Sequence, residues 1–160
     1  MNPSSGLVHR EVSALGRFLS RLALTVCGRV LFESMTMSIT YLCVPYTHED
    51  ETVRQLRFVL VNRVAGKLIQ QGLHIYSPIS HSHPIALVTD LPTDWDYWQH
   101  YCEEMLFACG SLMVLTIDGW RESIGVQAEI ELALAMGKPI QYVSLSDGEI
   151  VITAKPQDGD

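Results

Sequence analysis

Residues Ser111–Ser144 read SLMVLTIDGWRESIGVQAEIELALAMGKPIQYVS. Five of the first eight are apolar, Leu112–Leu115 without a break, the pattern of a strand buried on both faces. Gly119 and Trp120 make a turn, Ser123 supplies a helix N-cap, and a helical pattern runs to about Met136. Gly137 terminates that helix and Pro139 opens a second strand, Ile140–Ser144. The unit is therefore strand, helix, strand.

The same alternation continues upstream. Ser38–Val44 (SITYLCV) reads as a buried strand ended by Pro45. Thr47, His48, Glu49 and Asp50 form a polar loop and helix start, and Val53, Leu56, Leu60, Val64, Leu68 and Ile69 follow at helical spacing until Gly72. His74–Ser77 is a short strand stopped by Pro78, and Ser80–Pro84 reads as part of a long irregular stretch. Residues Asp94–Phe107 look helical, and 149–153 read as a possible edge strand. Strands alternating with helices imply a parallel sheet covered on both faces. We expect an α/β domain, a flavodoxin-like three-layer sandwich with a mainly parallel sheet of about five strands. Ligands of such sheets bind outside the carboxyl ends of the strands. Those ends are Pro45–His48, Ser77–His83 and Asp118–Ser123.

The chain has 160 residues, 48% hydrophobic and 18% charged, enough to bury one core and too apolar for wholesale disorder. The net charge of −7 disfavours binding of a nucleic-acid polymer, which needs a basic surface, but not binding of a single nucleotide. No apolar run reaches the ~18 residues of a membrane span, so no membrane partner is expected. Cys27, Cys43, Cys102 and Cys109 form no C-x-x-C pair and read as buried thiols in a reducing cytoplasm. Charge divides the chain. Residues 1–36 hold four arginines against Glu11 and Glu33, a net of +2. The remainder holds 7 basic and 16 acidic side chains, a net of −9. We expect an N-terminal extension over 1–36, disordered or helical (with Met35 or Met37 as alternative starts), an α/β domain over 37–155 and a tail over 156–160.

The helix after Ser123 carries the most informative side chain. At about 100° per residue, Gln127 and Glu131 mark its polar face. Glu129 falls opposite, among Val126, Leu132, Ala133 and Met136. A carboxylate on the core side is costly unless paired or used, and desolvation would raise its pKa. It either hydrogen-bonds a neighbouring strand or subunit, or it does chemistry. Gly125, one turn earlier, leaves room for something to approach it. Ser123 is an N-cap that could also contact an anion through the first-turn amides.

The run Gly119–Glu129, GWRESIGVQAE, followed by Ala133, Gly137, Lys138 and Pro139, resembles the signature of the nucleoside 2-deoxyribosyltransferase-like superfamily. That superfamily includes the 2'-deoxynucleoside 5'-phosphate N-hydrolases. Small bacterial and phage proteins with G-W-x-x-S-x-G-x-x-x-E are closer still. They share a start like Tyr41–Tyr46 and a middle like Ser77–Pro84. The resemblance spans Ser38 to about Ser144.

It implies cleavage or transfer at an N-glycosidic bond, with Glu129 as the nucleophile by the logic of retaining glycosidases. It further implies a phosphate contact from Ser123 in the phosphohydrolase branch, a sugar and base wall from Pro45 and Tyr46, no cofactor, and a homo-oligomer. The alternative is a nucleotide-binding or sensor module without catalysis. The superfamily's usual Asp falls at or beside Cys102, so the acid for the leaving base is left to Asp118, which could equally cap its turn, or Glu103, which could equally be a solvated face beside Glu104. His48, Ser80 and His83 are polar loop candidates for substrate binding. His81 and His83 lack a third metal ligand, so no metal site is assigned. Tyr46 and Trp120 could stack a base or pack at a subunit contact.

Overall fold

In a computed structural model, residues 39–156 are described. The chain divides into two units, Met1–Thr36 and Met37–Asp160, and the described residues belong to the second. The expected N-terminal extension, the alternative starts, Cys27, Ser38 and residues 157–160 lie outside them.

The elements run β1 (Ile39–Cys43), α1 (Glu51–Gln70), β2 (His74–Tyr76), α2 (Pro78–Thr89), α3 (Trp95–Ala108), β3 (Ser111–Leu115), α4 (Ile124–Ala135), β4 (Ile140–Ser146) and β5 (Glu149–Thr153). They form one sheet in the order β2-β1-β3-β4-β5. The first four strands are mutually parallel; β5 returns antiparallel to β4, with Val143 opposite Ile152. This is the flavodoxin-like α/β sandwich with one antiparallel edge. Among the described residues no helix is long and apolar enough to cross a membrane.

Strand alternation sorts the core into two layers. Tyr41, Cys43, Leu112 and Val114 point to one face, where Leu106 of α3 and Val126 and Ala133 of α4 pack on them. Leu42, Met113, Leu115 and Val143 point to the other, under Val61, Val64 and Leu68 of α1. Strand order reverses between β1 and β3. The connections leaving their carboxyl ends diverge there, and a crevice opens between them.

The stretch read as irregular is instead α2. Ser77 is its N-cap, its hydroxyl accepting from Ser80 N at 3.4 Å, and Pro78 stands in its first turn. Proline suits that position because its missing N–H would be unpaired anyway. Pro84 lies inside the helix, where it removes one backbone bond. Burial of Ser82, His83 and Ala86 against the domain offsets that loss.

Candidate active site

The crevice at the β1–β3 switch is a narrow cleft partly open to solvent; the space between its walls, open solvent included, is about 590 Å³. Four segments build it. Val44, Tyr46 and Thr47 follow β1; Pro78, Ile79, Ser82, His83 and Ala86 come from α2. Thr93 and the N-cap Asp94 lead into α3, which adds Trp95, Trp98 and Cys102; the N-cap Ser123 leads into α4, which adds Gly125, Val126 and Glu129.

Glu129 is 6% exposed and meets both the cleft and the sheet. Its helix packs on the β1 face that carries Tyr41 and Cys43. The Tyr41 hydroxyl donates to Glu129 Oε1 at 2.5 Å, and the Cys43 thiol also hydrogen-bonds the carboxylate. Desolvation pushes the Glu129 pKa up to about 7, against the opposing pull of these two donors. Burial, and then the neighbouring carboxylate, hold Tyr41 well above the usual phenol range, so its proton stays available for donation. Cys102 lies beside the same cluster and lines the cleft; burial raises its thiol to about 12.

A second polar cluster forms another part of the lining. His83 is 5% exposed and stacks on Phe58, with ring centroids 4.2 Å apart. Its Nε2 lies 3.1 Å from Gln55 Oε1, an acceptor, which makes Nε2 the protonated nitrogen. Nδ1 is then an acceptor, and the Tyr46 hydroxyl donates to it at 2.5 Å. Burial, reinforced by the Arg54 charge, lowers the His83 pKa, keeping the ring neutral.

The sequence-derived candidates separate cleanly. Glu129, Tyr46, His83, Ser123 and Gly125 meet in the cleft. Ser123 caps α4, accepting from Val126 N at 3.4 Å. Pro45 is buried behind the loop, and Ser80 lies in the first turn of α2 with its hydroxyl buried and unbonded; neither lines the cleft. His48 is exposed, with Nδ1 accepting from Asp50 N at 3.0 Å, an internal loop brace. The two acids proposed for the leaving base are elsewhere. Asp118 is exposed in the turn after β3, in a separate hollow, and Glu103 accepts from Gln99 Nε2 at 2.8 Å along α3.

Two further candidates have packing partners of their own. Trp120 is 7% exposed and packs on Tyr142 in the core, because the Asp118–Trp120 turn, with Gly119 at φ +81°, folds the indole inward. Gly125 lines the cleft with Glu129, and the space at its Cβ position is taken by Trp95. A Cβ there would sit 2.9 Å from Trp95 Cε3, so the indole already fills it.

Trp95, Trp98, Thr47 and Ser82 were not singled out from sequence. The two tryptophans at the start of a helix, beyond any strand-end loop, carry no sequence mark of their part in the lining. His81 stacks on Tyr101 instead of joining His83, so the two histidines are engaged separately.

Residues 38–145 match the family described as Domain of unknown function (DUF1937), and the chain belongs to that family. No curated protein matches it.

Proposed function

We propose that the protein cleaves, or transfers across, the N-glycosidic bond of a nucleoside or nucleotide, with Glu129 as nucleophile. One observation carries the reading: a buried carboxylate, hydrogen-bonded by a phenol and a thiol, opens onto a cleft at the sheet's switch point. A carboxylate kept only for structure gains little from a position facing open space. With its pKa near 7 it is ionised in a substantial fraction of molecules at neutral pH.

The chemistry has two steps. A Glu129 oxygen bonds to C1' of the sugar as the C1'–N bond breaks, and the base leaves with the bonding pair and takes a proton from solvent water entering the open cleft. Water, or a second base, then attacks C1' and releases the carboxylate. Tyr41 positions the attacking carboxylate through its hydrogen bond, and Trp95 and Trp98 offer flat apolar surface for the base.

Cys102 favours the second reading, a binding module without catalysis. The resemblance expects an Asp at or beside this position, and a thiol raised to about 12 is a poor proton donor at neutral pH. A chromatographic base-release assay separates the two. Free base from pooled deoxynucleosides and their 5'-monophosphates, lost in Glu129→Ala, supports the enzyme. Ligand binding by the folded protein without release supports the module.

A further inference from the structure

The chemistry of the cleft walls selects between the two substrate classes left open above. We propose that the substrate is the uncharged nucleoside and that a 5'-monophosphate is disfavoured; this rests on the glycosidic reading of Glu129. Among the described lining residues, the acidic and basic side chains other than His83 are two carboxylates, Glu129 and Asp94. His83 is buried between Tyr46 and Gln55, and that burial, reinforced by the Arg54 charge, disfavours a positive charge on the ring.

The arginines behind the β1 loop are committed to its backbone. Arg54 donates to the carbonyls of His48 and Glu49, and Arg57 donates to those of Thr47 at 3.1 Å and Asp118 at 3.2 Å. They brace the loop that carries Tyr46.

The N-terminus of α4 would be the natural seat for a phosphate. Trp95 lies against Gly125 in its first turn, and the Ser123 hydroxyl is already engaged as the cap. A phosphate entering there would meet an indole at the first turn and a carboxylate one turn further on. A nucleoside meets the same indole and carboxylate with hydroxyls, which can donate to Glu129 and to the Asp94 oxygen not used in capping α3, and with a base that can lie on Trp98.

The test uses the full chain and matched pairs of a deoxynucleoside and its 5'-monophosphate. Base release is measured as kcat/KM for each member. The nucleoside is expected to exceed its monophosphate by about 10-fold or more, the least that placing like charges together produces. Equal or faster release from the monophosphate overturns this inference and leaves the glycosidic reading standing. Release from neither overturns both.

Calorimetric binding to Glu129→Gln gives a second readout that needs no turnover. Removing that charge is expected to narrow the nucleoside-to-monophosphate ratio of Kd relative to the parent. An unchanged ratio overturns the charge argument.

Discussion

Tyr41 on β1 and Glu129 on α4, 88 residues apart, share a 2.5 Å hydrogen bond within the core, the phenol donating. The bond ties the strand whose carboxyl end opens the cleft to the helix that supplies its carboxylate. The protonation of Glu129 is therefore set from the sheet side as well as from the cleft.

That bond has a pH consequence. A nucleophilic carboxylate acts when ionised, so kcat/KM is expected to rise with pH through an apparent pKa of about 7. Tyr41 holds that value down. Tyr41→Phe should move the acidic limb to higher pH and lower the plateau by roughly 10–100-fold, the range of a hydrogen bond to a charged group. A pH–rate profile that does not move would rule out Tyr41 as the positioning residue.

Stability should run the other way. The folded Glu129 pKa is raised from 4.5 to about 7, so between those values the folded state binds more protons than the unfolded one. Stability then falls as pH rises from 4.5 to 7, and the penalty is complete above 7. Its ceiling is about 3 kcal/mol. Glu129→Gln should therefore stabilise the protein at pH 8 and flatten this part of the profile. Denaturant melts at pH 5 and pH 8 check both parts.

Gly125 and Trp95 should behave as one unit. Gly125→Ala places a methyl group 2.9 Å from the Trp95 ring. Overpacking of this kind costs ~1–3 kcal/mol. The cost should shrink when Trp95 is already alanine, a non-additivity that a double-mutant cycle measures. Full additivity would place the indole elsewhere.

Cys43 and Cys102 are buried free thiols, and burial raises both. The thiolate is the reactive form. Both should alkylate slowly in the folded protein and readily in denaturant, with peptide mapping by mass spectrometry as the readout. Rapid native labelling of Cys102 would contradict its burial.

The sheet and the long helices were legible because their signals are local and periodic. The apolar run at Leu112–Leu115, the Ser123 cap and the core-side position of Glu129 all follow from spacing along one segment. The antiparallel edge at Glu149–Thr153 followed only as a weak strand. What stayed hidden depends on segments far apart in sequence. Trp95 fills the notch at Gly125 from 30 residues away, and Trp120 turns inward to reach Tyr142. α2 was missed for a different reason. Its serines, histidines and internal Pro84 favour a loop locally, while Ser77–Pro78 at its start was the one local mark of a helix. Asp118 shows the limit of assigning an acid by its place at a strand end, and Glu103 that of assigning one by its adjacency to Cys102.

The three tryptophans of the chain divide between two tasks. Trp95 and Trp98 line the cleft, while Trp120 is sealed in the core. The protein thus carries its own optical reporters. Emission from the first pair responds to an aromatic guest, and emission from Trp120 tracks loss of packing. With Trp120→Phe and Trp95→Phe/Trp98→Phe variants as references, occupancy and unfolding become separable in one label-free titration.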